Sequence, residues 1–262
     1  MISIDKELVK NLIQKNLRLD KRPFSEYRKI KVTTGVVPKA EGSAQVEIGN
    51  TKVIAGVKMD IGQPFPDRPE SGVFMVNAEF LSLAYKDFES GPPSAEAVEL
   101  ARVVDRAIRE SEAIDLKKLC LEPRKKVWMI FIDIDIIDHD GNLTDAASLA
   151  AIAALATAKM PKLNVTEEDG EKIYEIDWET KTDPLPITKK PVTVTIAKIN
   201  DIFIVDPTLA EEQAIDVKLS IGLTEEKLCS MQKEGTGGLT EDDLTKMIDI
   251  ARQKAVELRK FL

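Results

Sequence analysis

The sequence is poor in the residues that catalytic and redox sites most often use. It has two cysteines, Cys120 and Cys229, and one histidine, His139, in 262 residues. Two cysteines far apart in a chain of this length predict buried, reduced thiols rather than a disulfide framework. A single histidine argues against a histidine-rich metal site and against a Ser-His-Asp triad. We therefore expect no metal and no cofactor, and we place His139 in a surface turn.

Long apolar runs are also missing. No run approaches the roughly twenty residues that a membrane-spanning helix requires. The first ten residues, MISIDKELVK, lack the cationic start and apolar stretch of a secretory signal peptide. These two absences predict a soluble, cytoplasmic protein with no membrane partner.

Positive charge is scarce and unevenly distributed. The chain has 37 Lys and Arg against 45 Asp and Glu, which gives a net charge of −8. Residues 1–39 contain ten Lys or Arg and four Asp or Glu, so this segment carries +6 and the remainder carries −14. Because phosphate contacts dominate the affinity for nucleic acids, an acidic chain binds them poorly on its own. Binding of RNA would require positive charge from a partner.

Hydrophobic periodicity and turn residues predict strands and helices in both halves of the chain. The first half is predicted to contain a helix over Ile4–Asn16, a hairpin at Gly49-Asn50, a strand over 73–83, a helix from N-cap Ser94 to about Ile114, a strand over 127–137, and a helix over 145–159 that ends before Pro161. The second half is predicted to contain a hairpin and linker over 164–190, strand pairs around Asn200 and Thr224, and a helix that begins at Thr240 with Asp243 in a capping box. Because each half runs from strands to helix, we predict an α+β protein of two similar lobes, 1–163 with the N-terminal helix and 164–262.

The segment IDHDGNLTDAASLAAIAAL, residues 137–155, gives conflicting indications of an anion site. A strand, the turn Asp140-Gly141-Asn142 and a helix N-terminus form a frame in which free backbone N–H groups bind phosphate. However, no Lys or Arg lies between residues 133 and 158, and three aspartates crowd the turn: Asp138, Asp140 and Asp145. The backbone pattern favours phosphate and the charge opposes it.

Several motifs together resemble the RNase PH family across nearly the whole chain. They are Arg18-x-Asp20-x-Arg22, Gly42-Ser43-Ala44, GNTKVIAGVK and DGNLTDAASLAAIAAL. Two longer stretches, GPPSAEAVELARVVDRAIRESEAIDLKKL and IVDPTLAEE, are similar to the non-catalytic RNase PH-like subunits of archaeal exosomes. The resemblance implies an RNase PH-type fold of two β-sheet and helix lobes.

The resemblance also implies a degenerate phosphate loop. Active members of the family place Gly-(Ser/Thr)-Arg at the turn where this chain has Asn142, Leu143 and Thr144. They place an arginine pair before the long helix, where this chain has Ser94-Ala95-Glu96. The hydroxyl and the cations of the phosphate site are therefore absent, and we interpret Thr144 as the N-cap of the following helix.

Two acids match another element of the active members, which carry a pair of acids six residues apart after a strand. Asp206 and Glu212 have that spacing. One interpretation is a retained general acid and metal partner. We favour vestigial acids, with Asp206 beginning the turn before Pro207 and Glu212 on a solvated face, because a general acid is idle without a bound nucleophile.

Three arginines at spacings of four and three form a stripe on the long helix, opposite its predicted core face: Arg102, Arg106 and Arg109. A surface laced with ion pairs is one interpretation, with the pairs Glu99–Arg102, Asp105–Arg109 and Arg106–Glu110. The other is contact with an RNA backbone. The resemblance implies that Arg102 and Arg106 face a partner's active site and bind RNA.

The resemblance implies that this chain alternates with a catalytic RNase PH-like exosome subunit in a hexameric ring of three heterodimers. Cap subunits with S1-type or KH-type domains would lie on one face, and the channel would admit single-stranded RNA. The chain would build the ring, shape the partner's active site and hold RNA for 3′-to-5′ phosphorolysis. Two alternatives are an autonomous phosphorolytic 3′ exoribonuclease and an assembly protein that never contacts RNA.

Overall fold

The computed structural model describes residues 6–168 and 170–262. The helices in these ranges are α1 (Lys6–Gln14), α2 (Ala95–Ser111), α3 (Leu143–Thr157), α4 (Leu209–Glu212) and α5 (Glu241–Arg259). The strands are β1 (Ile30–Thr34), β2 (Gly42–Ile48), β3 (Thr51–Gly62), β4 (Val73–Phe80), β5 (Cys120–Glu122), β6 (Lys126–Asp138), β7 (Lys159–Glu168), β8 (Glu171–Pro184), β9 (Val192–Ile199), β10 (Ile202–Val205), β11 (Val217–Leu223) and β12 (Leu228–Glu234). The α+β class is confirmed.

The first sheet has the strand order β1-β2-β3-β6-β4, with β5 paired to β6. Its neighbouring strands are antiparallel except for β4, which runs parallel to β6. The predicted hairpin at Gly49-Asn50 is confirmed, since Ile48 pairs with Thr51 across it. From Val53 to Met59 every second residue is fully buried, as expected for a strand with one face on the core.

The second sheet is antiparallel with the order β10-β9-β11-β12. Both predicted strand pairs, around Asn200 and around Thr224, belong to this sheet. Between the two sheets in the sequence, β7 and β8 form a separate two-stranded hairpin. The proposed lobe boundary between residues 163 and 164 falls within β7, and the division at that point stays a prediction.

Helix α3 lies between the two sheets and contacts β2, β3 and β9. Its residues from Thr144 to Leu155 are all buried, and half of them are alanine. Ser148 Oγ lies 2.9 Å from Thr193 Oγ1 of the second sheet. Beside α3, helix α2 contacts β4 and β12, while α5 packs on β9 and β11. Because Thr193 faces α3 and Lys198 binds Asp243 of α5, these two helices cover opposite faces of β9.

The helix limits confirm some predictions and correct others. Ser94 caps α2, since its side chain accepts a hydrogen bond from the Ala97 N–H, and Thr240 forms the predicted capping box with Asp243. Thr144 is not an N-cap: α3 begins at Leu143, and the residue before it is Asn142, whose φ is +55°. Pro161 lies within β7, four residues beyond the last residue of α3. The predicted start of the first helix, Ile4, lies outside the described residues.

The two thiols are free, as predicted, but the prediction that they are buried is wrong. Cys120 and Cys229 are free but only half-buried, because each lies on a short strand at the margin of its sheet. In the described ranges, no helix is long and apolar enough to cross a membrane.

Candidate functional site

The turn between β6 and α3 is held against the segment before α4. Gly141 has a φ of +90°, and a Cβ at this position would lie 2.5 Å from the backbone of Leu209 and from the Pro207 oxygen. The Leu209 N–H also donates a hydrogen bond to the Asp140 carbonyl at 3.1 Å. Glycine is therefore required here by both conformation and space. This contact brings the predicted phosphate loop beside both predicted acids.

The three N–H groups of the turn already have acceptors within the chain. Asp140 donates to Thr51 Oγ1 at 3.2 Å, and Gly141 donates to His139 Nδ1 at 3.4 Å. Asn142 donates to Glu212 Oε1 at 2.9 Å. A carboxylate of the chain itself thus accepts the N–H that the sequence pattern offers to a phosphate oxygen.

Asp206 is fully buried and accepts hydrogen bonds from three residues. The Arg22 Nη1 donates at 2.6 Å and Asn142 Nδ2 at 2.9 Å. Arg28 donates three times, from its backbone N–H at 2.8 Å, Nε at 2.9 Å and Nη2 at 2.8 Å. Asp206 does precede Pro207 in a turn, with a φ of +50°, but it is the centre of a buried ion-pair cluster rather than a turn residue alone.

The charge state of Asp206 follows from these neighbours. Burial raises the pKa of a carboxyl group, but hydrogen bonds and charge from Arg28, with charge from Arg22, lower the pKa of Asp206 below its ordinary value. The group is ionised at neutral pH and its oxygens are occupied. It therefore has no proton to give to a leaving group.

Positive charge reaches the loop from the N-terminal segment, which sequence reasoning had not connected with it. Arg28 Nη1 donates to the Asp140 carbonyl at 2.6 Å and Nη2 to the Gly141 carbonyl at 3.1 Å. Arg18 is buried and forms a bidentate pair with Glu211, at 2.8 and 2.6 Å. The loop has no cation of its own, and these guanidinium groups from the N-terminal segment are committed to carboxylates and carbonyls.

A cavity of about 630 Å³ opens beside the loop. Its described lining carries one cation, Lys218, and five carboxylate side chains: Asp87, Glu96, Glu99, Glu212 and Glu234. Lys218 Nζ lies 3.0 Å from Glu234 Oε2, so its charge is paired. Because like charges repel at close range, this lining disfavours an anionic substrate.

Glu212 is half-buried at the cavity wall, so its predicted place on a solvated face is wrong. The contact of Leu209 docks α4 against the loop, and for this reason Glu212 lies at the cavity wall and not on a solvated face. Burial raises the pKa of Glu212, against the lowering effects of Lys218, the Asn142 N–H and Arg28. Of the two predicted acids, Glu212 is therefore the one that lines the cavity.

His139 lies in an aromatic contact rather than on an open surface turn. Its ring stands edge-on to Tyr85, with centroids 5.4 Å apart, and stacks on Phe88 at 5.5 Å. Burial lowers the pKa of His139, which favours the neutral ring at pH 7.

Asn142 links Asp206 to a second buried acid, Asp145. The Asn142 Nδ2 donates to Asp145 Oδ2 at 3.0 Å, and the Tyr27 hydroxyl donates to the same oxygen at 2.7 Å. Burial raises the pKa of Asp145 to about 6, although these hydrogen bonds and those from Thr195 oppose the shift. Sequence reasoning counted Asp145 among the charges of the turn but missed that its side chain is buried in the first turn of α3.

The arginine stripe on α2 has one of its three predicted ion pairs. Arg109 pairs with Asp105 at 2.6 Å, as predicted. Arg106 lies 3.6 Å from Glu99, not beside Glu110, and it donates to Gln232 of β12 at 2.9 Å. The Arg102 guanidinium is exposed and has no hydrogen bond or ion pair within the described part of the chain. Sequence reasoning could not find Gln232, which lies on another element.

A metal centre has no obvious position. Over residues 6–168 and 170–262, no group of three or more His, Cys, Asp or Glu side chains is arranged to hold a metal ion.

Comparison with known proteins gives concordant similarities over nearly the whole length. Residues 26–161 match the 3′ exoribonuclease family, domain 1, of RNase PH type, and residues 190–254 match domain 2. The exosome complex component Rrp42 of Methanothermobacter thermautotrophicus is 48% identical over 260 residues, covering 99% of this chain and 94% of that protein. The component of the same name from Thermococcus gammatolerans is 47% identical over 263 residues, covering 100% and 95%.

A solved structure is similar in fold as well as in sequence. A chain of the Archaeoglobus fulgidus exosome with RNA bound to the active site superposes with a TM-score of 0.87 and is 42% identical. The similarity covers 97% of this chain and 96% of that one.

Proposed function

This chain belongs to the 3′ exoribonuclease family of RNase PH type, and on that premise we propose that it is a non-catalytic subunit of an archaeal exosome core ring. Its relatives at 47–48% identity are exosome components. Its role is to build the ring with an active RNase PH-like partner, to shape the active site of that partner, and to hold single-stranded RNA for 3′-to-5′ degradation.

The observation that carries the non-catalytic role is the hydrogen bond from the Asn142 N–H to Glu212 Oε1, at 2.9 Å. Phosphorolysis requires an inorganic phosphate to approach a phosphodiester, so two anions must be brought together by cations and backbone donors. In this chain a carboxylate occupies the backbone donor, and the cavity beyond it is acidic. Asn142, Leu143 and Thr144 thus form a loop with the phosphate-binding frame and without its chemistry.

The state of Asp206 supports the same proposal. A general acid must hold a proton and direct it at the leaving oxygen. Asp206 is ionised, buried and hydrogen-bonded to Arg22, Arg28 and Asn142. We propose that it is a structural remnant that ties the N-terminal segment to the loop, and that Asp206 and Glu212 are vestigial as catalysts.

The RNA-holding role rests on Arg102 and Arg106. Their side chains lie one helical turn apart on the solvent side of α2, opposite the buried face that contains Ala101 and Val104. Guanidinium groups offer forked donors that suit phosphate oxygens. Since this chain does not use them on a nucleotide of its own, we assign them to RNA that the neighbouring active subunit binds.

The partners follow from the same proposal. An active RNase PH-like subunit would alternate with this chain in a hexameric ring of three heterodimers, and S1-type or KH-type cap subunits would lie on one face. The net charge of −8 favours this arrangement, because the chain alone lacks the positive field that RNA binding requires.

Two alternative functions are each favoured by one observation. The raised pKa of Glu212 beside an open cavity favours an autonomous phosphorolytic exoribonuclease, because such a carboxyl could serve as a proton donor. The contact of Arg106 with Glu99 favours an assembly protein that never touches RNA, because that pair satisfies one arginine of the stripe.

The deciding experiment compares the purified chain with the reconstituted ring. We expect no phosphate-dependent release of nucleoside diphosphates from single-stranded RNA by the chain alone, because its donor is occupied and its cavity is acidic. The ring with the active partner should release them under the same conditions. Activity of the pure chain that is lost on Glu212→Gln would replace our proposal with the autonomous enzyme.

The same assay tests whether Glu212 is vestigial in the assembly. Glu212→Gln in an intact ring should leave the rate near that of the unaltered ring, whereas loss of a general acid costs about 10²–10⁴ in rate. Glu96→Gln, another carboxylate of the cavity, is the matched control. A fall of that size for Glu212→Gln alone would make this chain catalytic. Asp206→Asn is less suitable, since breaking a buried ion pair costs about 3–5 kcal/mol of stability.

A further inference from the structure

Arg106 is held in place by contacts that the other two arginines of the stripe do not have. Its Nε donates to the Arg102 carbonyl at 3.3 Å, and its Nη2 donates to Gln232 Oε1 at 2.9 Å. Glu99 Oε1 lies 3.6 Å from the same Nη2, outside hydrogen-bond distance. Gln232 therefore supplies the one side-chain hydrogen bond to Arg106 in the part of the chain that the structure describes.

The three arginines of the stripe differ in how much of their charge is available. Both Nε and Nη2 of Arg109 donate to Asp105, and its guanidinium lies over the Phe74 ring, so its charge is neutralised and fixed. Arg102 has no partner for its guanidinium in the described residues, so its charge is available but its position is not fixed. Arg106 combines a fixed position with a neutral hydrogen-bond acceptor. Its ion pair with Glu99, at 3.6 Å, is longer than the Arg109–Asp105 pair at 2.6 Å and involves only Nη2, and its Nη1 is not used by any described residue.

We propose that Gln232 is a positioning residue for RNA: it orders the Arg106 guanidinium without cancelling its charge, so that Nη1 is presented to a phosphate of the bound strand. This inference rests on the proposed function, since it requires that Arg106 contact RNA in the ring. An amide oxygen suits this role because it accepts a hydrogen bond but carries no net charge. A carboxylate at the same place would hold the arginine and remove its attraction for phosphate, as Asp105 does for Arg109.

The strand that carries Gln232 is suited to hold it still. Gln232 pairs with Ser220 of β11, and the Ser220 hydroxyl lies 2.9 Å from Thr195 Oγ1 of β9. These contacts tie β12 to the interior of the second sheet. A side chain anchored on a paired strand loses less freedom when it holds a ligand group, which is the basis of preorganised binding.

Helix α2 also lies unusually close to this sheet. Gly222 of β11 faces Ala107, and a Cβ at position 222 would lie 3.2 Å from the Ala107 Cβ and would collide with Ser230 Oγ. The missing side chain lets α2 approach the strands, and this approach brings Arg106 within reach of Gln232. The position of the arginine is thus set by two elements that are 126 residues apart in the chain.

The test uses Gln232→Met in the ring reconstituted with the active partner, with affinity for single-stranded oligoadenylate as the readout. Methionine keeps the length of the side chain and lacks the acceptor. We expect roughly two- to tenfold weaker RNA binding, the effect of ordering one long side chain. The salt dependence of binding should not change, because the charge of Arg106 is kept. Met231→Ala, an exposed neighbour on the same strand, is the control and should bind normally.

Two further variants separate positioning from a general structural effect. Gln232→Glu keeps an acceptor but adds a negative charge, so we expect weaker binding together with a flatter salt dependence. In an Arg106→Ala background, Gln232→Met should have no further effect, since the group that it positions is gone. A structural defect would instead add to the effect of Arg106→Ala.

Each outcome decides the inference. If Arg106→Ala weakens RNA binding and Gln232→Met does not, Gln232 has no positioning role, and the proposed RNA contact stands. Additive effects of Gln232→Met and Arg106→Ala would also overturn the inference. If Arg106→Ala leaves RNA affinity unchanged in an intact ring, the inference fails, and the proposed RNA contact of the stripe is left to Arg102. Loss of the ring with Gln232→Met, measured by mass, would assign the residue to assembly instead.

Discussion

At the scale of single residues, the loop is organised by buried acids with opposite protonation behaviour. Asp206 faces Arg22 and Arg28, which lower its pKa despite its burial. Asp145 has no cation among its hydrogen-bond donors, which are Tyr27, Asn142 and Thr195, and burial raises its pKa to about 6. The Asn142 amide donates to both acids, so it connects an ionised carboxylate to one whose pKa is raised to about 6.

Asp145→Asn should change the pH dependence of stability. Because the pKa of Asp145 in the folded chain lies above the value of about 3.9 expected on unfolding, its contribution is fully present below about pH 4 and is lost as the pH rises through about 6. The asparagine variant lacks this loss. Relative to the unaltered chain, its free energy of unfolding should therefore rise by up to about 3 kcal/mol between pH 4 and pH 7.5.

Urea unfolding at several pH values measures this difference. Asp243→Asn is a suitable control, because the hydrogen bond from Lys198 and those from Thr240 lower the pKa of Asp243 to about 2, so it stays ionised over the same range. The difference between that variant and the unaltered chain should stay constant between pH 4.5 and pH 7.5. A constant difference for Asp145→Asn as well would show that Asp145 is not a buried titrating group.

At the scale of elements, α3 determines how the two sheets approach each other. Its alanine-rich surface is buried on all sides, so it has no amphipathic face of the kind that α2 shows. Small side chains allow a helix to lie close to strands on both sides. Gly42 of β2 is part of this contact, since a Cβ there would lie 2.7 Å from the Ala158 Cα and would collide with the Ala154 carbonyl oxygen.

Gly42→Ala should therefore destabilise the chain by about 1–3 kcal/mol or more, the range for overpacking a tight core. Gly56→Ala is a matched control. Gly56 lies on the neighbouring strand β3, where it pairs with Ser43, the residue after Gly42, and a Cβ at position 56 meets no described atom within 4 Å. That variant should be neutral or more stable by up to about 1 kcal/mol. Equal free energies of unfolding for the two variants would contradict the close approach of α3 to β2.

At the scale of the whole molecule, charge separates structural from functional roles. Part of the +6 charge of residues 1–39 is used in contacts within the chain. Arg18, Arg22 and Arg28 bind Glu211, Asp206 and the loop carbonyls. Three of the ten cations of this segment are therefore committed to internal partners. The exposed stripe on α2, above all Arg102 and Arg106, is the positive surface that the proposed ring would use.

Arg102→Glu with Arg106→Glu should leave the ring intact and weaken its affinity for single-stranded RNA. The slope of log affinity against log salt should become less steep by about 1.4, since each lost phosphate contact on a single strand removes about 0.7. Lys125→Glu with Lys126→Glu changes the charge equally at exposed positions, at the end of the β5–β6 turn and the start of β6, and is the control. Unchanged affinity and slope would reduce the stripe to a solvated helix face, and loss of the ring would assign it to the subunit interface.

The sequence by itself determined most of the elements and their order, although it did not predict β1, β5 or α4. Periodicity, Gly49-Asn50 and the caps at Ser94 and Thr240 depend on neighbours within a few residues, and for this reason they predicted the hairpin and both helix starts correctly. The family motifs extended this to the two-lobe fold, which the similarity to known exosome chains confirms. The roles of Arg102, Arg106, Asp206 and Glu212 in RNA binding and catalysis stay predictions.

Only the tertiary structure decided which groups satisfy one another. The partners are far apart in the sequence. Arg28 binds Asp206, 178 residues away, and Glu212 accepts the Asn142 N–H from a distance of 70 residues. Gln232 accepts a hydrogen bond from Arg106, 126 residues away. No local sequence pattern encodes these partners. Many residues in the sequence carry a suitable acceptor, and only the distance and direction between groups in space determine which acceptor a donor meets. The sequence predicted a loop with the shape of a phosphate site and the wrong charge, whereas the packing of α4 against that loop determined that Glu212 occupies its donor.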